Sequence, residues 1–400
     1  MTNNKSWTRR ALLGAGGATL TASTAGCLGS VRNTGNQNGQ FTVGEIGNSD
    51  DNCLDCISPS PSFAIAERLR TESDGELTMT VQPSNQICSS ASCGTKVQSN
   101  VIEAGYGSIG NSTAFFPENQ IWLVPYTFPS PESITHTLVH EEAWENFWVP
   151  FARKYNVLPF YYWTPALRDV FISEGGTQLI GGDDLRRPEQ LEGLIIRRTA
   201  SRAAAESLST WSASPTEVSW GDTVQGMETG VIDGLETWSS VAIGSGMGSV
   251  IDQVVETSFM CGQGTIWVNT DWLKSLPDGH RELLADTTRE LTEQAVAIAD
   301  ELVDERVGQR ESPPDGSAWD ELGVTVNILD DDERQAWVDP LDPRENPEKW
   351  APERELLENF EETPDDFYDR IYEIANGNGT PDSPSEFTID AWWDDYLDEI

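Results

Sequence analysis

The sequence predicts an α/β fold of two lobes, each built on a doubly wound parallel sheet, with a ligand cleft between them. Three observations carry that expectation. Strand and helix patterns alternate as β-α-β-α-β over residues 41–110, and the alternation resumes over residues 157–269. The chain's 400 residues, 38% hydrophobic with 15 tryptophans, are also enough to bury two cores.

Before the first strand lies an export address. Lys5 and the pair Arg9-Arg10 precede a weakly apolar run over 11–25, and Thr8-Arg9-Arg10-Ala11-Leu12-Leu13 resembles a twin-arginine (Tat) signal. The run is too short and glycine-rich for a permanent membrane span. It stops at Thr24-Ala25-Gly26-Cys27, where small residues suit a lipoprotein peptidase and the cysteine thiol takes the lipid. Residues 1–27 thus read as a Tat and lipoprotein signal, with Cys27 anchoring the chain to the extracytoplasmic face of the membrane. Residues 28–40, rich in Gly, Asn and Gln, read as a flexible linker.

Residues 41–46 alternate as a strand, a loop with Cys53 and Cys56 follows, and a helix over 62–71 is closed by Gly75. A second strand at 77–81 leads through a loop with Cys88 and Cys93 to a helix over 96–104, and a third strand opens at 108–110. Ligands of such sheets sit beyond the carboxyl ends of the strands, which places both cysteine loops at the ligand edge. Outside the cell disulfides persist, so Cys53, Cys56, Cys88 and Cys93 are disulfide candidates, joining the two loops or closing each on itself. A four-thiolate metal site is the competing reading, set back by the loose spacing of the second pair. Cys261 is left as a free, buried thiol.

Further strands fall at 157–163, 194–197 and 216–218. A helix over 222–229 has Asp222 as its amino-terminal cap and Gly230 at its close. Strands at 251–257 and 265–269 precede one long acid-rich helix from 278 to near 310, and a strand at 324–328 follows. Beyond 330 the chain is acidic and helical in places, with a loose tail at 377–386 and a last helix ending in Trp392-Trp393.

Charge narrows the function. Against 25 Lys+Arg stand 66 Asp+Glu, a formal net charge of −41. Self-repulsion on that scale penalises a compact state, and molar salt, with a Debye length of about 3 Å, removes most of the penalty. The surface reads as halophilic. Nucleic acid is excluded as a partner, since binding it requires basic groups against phosphates. His136 and His140, with Glu141 and Glu142 beside them, share a helix face but do not form H-E-x-x-H, and they read as a surface pair. No G-x-S-x-G or P-loop occurs, so no catalytic residue, metal or cofactor is assigned.

Over residues 102–305 the chain resembles the substrate-binding subunits of tripartite ATP-independent periplasmic (TRAP) transporters, the DctP family. Four stretches carry the resemblance in order. Val124-Pro125-Tyr126-Thr127-Phe128 stands where the family has a Pro-Phe turn, and Leu191-Glu192-Gly193-Leu194-Ile195-Ile196-Arg197 resembles its arginine-bearing strand. Thr216 to Asp222, then Gly230-Val231-Ile232-Asp233-Gly234-Leu235-Glu236, resembles its D-G-x-E segment. Trp267-Val268-Asn269, with Trp272 to Pro277 after it, resembles the opening of its long helix.

The resemblance implies a periplasmic-binding-protein-like fold with crossing hinge strands and a long helix. Lobe I would comprise 41–165 with 263–302 and lobe II 166–262 with 303–345, leaving 346–400 as an acidic extension. It also implies a small organic-acid ligand, delivery to TRAP membrane subunits, and no chemistry. Arg197 is carried over as the carboxylate clamp, Arg168 as a second arginine facing the cleft, and Glu236, Thr237 and Trp238 as ligand-site residues beside them. After Glu236 the family commonly has asparagine and proline, where this chain has Thr237 and Trp238, which leaves mono- and dicarboxylates both open. Asn111 either donates to the ligand or belongs to a helix cap, and Trp220 and Trp238 either floor the cleft or fill a lobe core. The rival readings are a binding protein of an ABC importer and an exported metalloenzyme.

Overall fold

The structure, a computed structural model, describes residues 39–45, 61–377 and 384–400. Cys27, Cys53 and Cys56, and with them the export signal and nearly all of the linker, lie outside the described residues.

Among the described residues nine strands form one mixed sheet: β1 (Gln40–Gly44), β2 (Thr78–Gln82), β3 (Ala104–Ser108), β4 (Val157–Ile172), β5 (Ile195–Arg198), β6 (Ser214–Glu217), β7 (Gly234–Thr237), β8 (Gln253–Asn269) and β9 (Thr325–Asn327). Their order is β2-β1-β3-β8-β4-β7-β5-β6, with β9 beside β8. β1 pairs in parallel with β2 and β3, and β5 pairs in parallel with β6 and β7. The expected parallel sets are therefore the two ends of one sheet. The antiparallel strands β4 and β8 join them, each about 50 Å long at the usual rise.

β4 is rich in aromatic and β-branched residues that favour a pleated, buried strand. Its pairing with β8 slips at three places, between Pro159 and Tyr161, Trp163 and Ala166, and Arg168 and Val170. Proline has no N–H for the ladder, and Pro159 and Pro165 fall at the first two breaks. At the third, β8 loops out over Ser258, whose N–H donates to Asp169 at 2.9 Å, while the other Asp169 oxygen accepts from Gln309 at 2.9 Å. Burial pushes the Asp169 carboxyl well above the ordinary carboxylate range, and Glu256 nearby adds to the shift.

The expected strands at 251–257 and 265–269 are one strand, β8. Gly262 and Gly264 look like turn residues, yet they are there for close approach. A Cβ on Gly262 would run into the Ala166 carbonyl, and one on Gly264 into the Tyr106 ring. Three helical assignments shift as well. The helix expected from 96 runs over Cys93–Gln98, and β3 ends at Ser108, where the helix Ile109–Ser112 begins. Asp222 precedes the helix Thr223–Glu228 without capping it, because its carboxylate accepts from the Ser219 hydroxyl instead.

The long helix Asp278–Ala297 buries Leu284, Thr288, Leu291 and Ala295 against β4 and the helix Pro61–Glu72. It breaks at Ile298, continues helically to Val307 and ends at Gly308, whose φ of +85° suits only glycine. The expected last helix is absent. Residues 387–400 are irregular, and the indole N–H groups of the buried Trp392 and Trp393 donate to the Thr288 hydroxyl at 3.1 and 3.3 Å. Cys88 and Cys93 form a disulfide that closes the second cysteine loop on itself, and Cys261 is free and buried.

Candidate functional site

The carboxyl ends of β3, β5 and β7 and the middle of β4 meet around one narrow cleft. Its walls bring together Asn111, Arg168, Arg197, Trp220, Thr237 and Trp238, together with Ser90, Tyr106, Ser108, Thr199 and Val241.

Arg197 lies near the end of β5 and is only 2% exposed. Its Nε donates to the Val218 carbonyl at 3.1 Å, its guanidinium stacks 5.1 Å over Trp220, and Nη1 is buried with no partner. Burial lowers its pKa to about 10, with Arg168 and Arg198 pushing the same way against Glu236 and Glu217. The group stays charged at neutral pH. Arg198, next along the strand, reaches the other side and pairs with Glu217 at 3.5 Å.

Arg168 sits differently. On β4 it lies two residues from Val170, which faces Glu236 on β7, so the arginine and the glutamate are diagonal neighbours on one face. The Arg168 Nε pairs with the Glu236 carboxylate, and Nη2 donates to the Glu236 carbonyl at 3.1 Å. The second carboxylate oxygen accepts from the Thr199 backbone N–H at 2.6 Å. Arg168 also stacks 5.1 Å over Trp238. Glu236 is wholly buried behind these contacts and is not itself among the lining residues.

On the facing side Ser108 caps the helix Ile109–Ser112 by accepting from the Asn111 N–H at 3.1 Å. The Asn111 side chain is thereby left for the cleft, where it donates to the Ser90 hydroxyl at 3.2 Å. Trp220 closes the floor and donates to Ser245 at 3.1 Å. The two sides touch: a Cβ on Gly110 would meet Thr199 at 3.4 Å, and the Arg202 N–H donates to the Gln120 side chain at 2.8 Å. Arg202 also grips Glu353, at 2.7 Å through Nε, and the Lys349 carbonyl at 2.7 Å. The cleft is closed.

Residue-by-residue reading missed Ser90, Tyr106, Ser108, Thr199 and Val241. Thr199 was findable, being two residues beyond Arg197 and so on the same side of an extended segment. Several buried groups in this wall have no partner: the Thr199 and Thr237 hydroxyls, the Trp238 indole N–H and Arg197 Nη1. Such groups are rare unless something else satisfies them.

His136 and His140 lie elsewhere, with ring centroids 5.8 Å apart, beside Asp390 and Asp395. Burial, then His140, lowers the His136 pKa. Among the described residues no group of three or more His, Cys, Asp or Glu is arranged to hold a metal ion.

The model of the bacterial extracellular solute-binding proteins, family 7 (DctP), matches residues 64–344. The ectoine-binding periplasmic protein TeaA of Halomonas elongata is 22% identical over 276 residues, 69% of this chain and 76% of that one. The C4-dicarboxylate-binding periplasmic protein DctP of Vibrio cholerae is 22% identical over 280 residues, 70% of this chain and 78% of that one. A TRAP periplasmic solute-binding protein from Ralstonia eutropha, solved with (S)-2-acetolactate, superimposes with a TM-score of 0.67 at 18% identity, covering 84% of this chain and 98% of that one. One from Shewanella oneidensis, solved with succinate, gives 0.67 at 15% identity, covering 84% and 99%. At these identities the solved structures speak for the fold.

Proposed function

The chain belongs to the family 7 extracellular solute-binding proteins, and from that premise we propose that it captures a small organic acid in the Arg197 cleft and delivers it to the membrane subunits of a TRAP-type transporter. One observation carries the reading: a fully buried guanidinium at the carboxyl end of a strand, with a free N–H and no ion pair to a carboxylate among the described residues. A planar fork is the group that binds a carboxylate through two parallel charge-assisted bonds. Relatives named for binding ectoine and C4-dicarboxylates support an acid ligand.

The proposal extends to how the site opens. Lobe I is residues 41–165 with 263–302 and lobe II is 166–262 with 303–345, and they hinge about β4 and β8 at the register breaks. Ser90 and Asn111 stand on the first, Arg197 and Trp220 on the second. A ligand touching both favours closure, by no more than its differential affinity for the closed state. Thr8 to Leu13 directs Tat export, Cys27 carries the lipid anchor on the outer face, and the acidic surface serves molar salt. The work is capture and release, with no bond made or broken in the ligand.

Native mass spectrometry of protein purified from its own cells tests this. The expected result is one organic acid per chain, recovered chemically unchanged after long incubation. Adding the acid to ligand-free protein should also shrink the radius of gyration in solution scattering. Turnover of the ligand, or binding without compaction, would return an enzyme to the front.

A further inference from the structure

Resting on that solute-binding reading, we infer that the cleft selects a compact monoanion, one carboxylate on a hydroxyl- or oxo-bearing skeleton, over dicarboxylates and zwitterions.

Among the described residues only two charged side chains line the cleft, Arg168 and Arg197, with no lysine, histidine or carboxylate among the other lining residues. Arg168 is already answered: its Nε holds the Glu236 carboxylate, Nη2 holds the Glu236 carbonyl, and the second Glu236 oxygen takes the Thr199 N–H. That pair is closed and neutral. Arg197 has a neutral carbonyl on Nε, an aromatic face below it and nothing on Nη1. One positive charge is left over, and one ligand carboxylate cancels it.

A second carboxylate would be buried against hydroxyls, an amide and indole rims. An uncompensated buried charge of that kind is strongly unfavourable. A ligand ammonium fares no better. Among the described lining residues it would meet two guanidiniums and no carboxylate, and Trp220 and Trp238 each already carry a guanidinium over the ring. What the wall does offer is neutral hydrogen bonding. The Thr199 and Thr237 hydroxyls and the Trp238 N–H are buried and unpartnered. Hydroxyls donate or accept and an indole only donates, so a hydroxyl or oxo group satisfies this set.

Calorimetry in molar KCl at neutral pH, on ligand-free protein with size-matched acids, tests the selection. The pairs are 2-hydroxybutanoate against malate and gluconate against glucarate, in which a terminal methyl or hydroxymethyl becomes a carboxylate. Ectoine is the zwitterion. The expected result is that a monoacid binds, and binds about tenfold or more tighter than its diacid partner. A diacid or ectoine binding as tightly as the monoacids would overturn the inference and leave the solute-binding reading standing. Silence from every acid, of either charge, would overturn both. Glu236→Gln adds one net positive charge by releasing Arg168. In a variant shown by circular dichroism to be folded, the ratio should move about tenfold towards the diacid. An unmoved ratio would show that pocket charge does not set selection. The wild-type pairs decide the matter if the variant does not fold.

Discussion

Replacing Arg197 by methionine should abolish acid binding while leaving the ligand-free protein no less stable. Burial takes the guanidinium down from its ordinary value to about 10, a fall of roughly two to three pKa steps. At about 1.36 kcal/mol per tenfold, that fall corresponds to roughly 3 kcal/mol of destabilisation carried by the empty protein. The sign is that of a base depressed by folding: below about 10 both states hold the proton and the full cost is present, and stability recovers as pH rises through that value. Methionine removes the cost. It also removes the hydrogen bond to Val218, about 1.5 kcal/mol for a charged donor, and the stacking on Trp220, about 0.5–1 kcal/mol. The balance is a gain of about 1 kcal/mol, a rise of about one or two degrees in Tm for a chain of this size. Differential scanning calorimetry on ligand-free wild type and variant measures it. A fall of several degrees would mean that Arg197 holds the fold together, and the binding role argued from its unmatched charge would fail.

Arg168 should behave in the opposite way. Arg168→Met leaves the buried Glu236 carboxylate uncompensated and should cost about 3–5 kcal/mol of stability, read as a lower denaturation midpoint; an unchanged midpoint would show that the pair is not closed as described. With a net charge of −41, the melting temperature should fall as KCl is lowered from molar to ~0.1 M, where screening reaches only ~10 Å, and a flat profile would contradict a surface built for salt. Intact mass with and without reductant should shift by two hydrogens for Cys88–Cys93, and by two more if Cys53 and Cys56 are bridged; no shift would refute the disulfide.

The strands at both ends of the sheet were legible because alternation and short loops are local signals, and β1 to β3 fall within a few residues of expectation. The long strands were legible only in pieces. Glycine in a sequence signals a turn, whereas Gly262 and Gly264 admit the backbone of β4 and the ring of Tyr106, and those neighbours are far away in the chain. Arg197 stood out through the motif around it, since an arginine at a strand end in so acidic a chain is otherwise a surface ion pair. Ser90 gave no signal at all. It arrives through a loop closed by Cys88–Cys93 and meets Ser108 and Asn111 at the end of the next strand. Trp392 and Trp393 read as the end of a last helix, but their N–H groups donate to Thr288 and the segment around them is irregular.

The grip of Arg202 bears on how long a captured acid stays. Any opening that draws the end of β5 away from the end of β3 must also pull Arg202 from Gln120 and from Glu353, which lies beyond the stretch matching the family. These bonds are intact in the closed cleft and make no contact with its contents. Their rupture therefore adds to the barrier for escape. Residence time, the quantity in which related complexes differ most, is then set partly by a segment remote from the ligand.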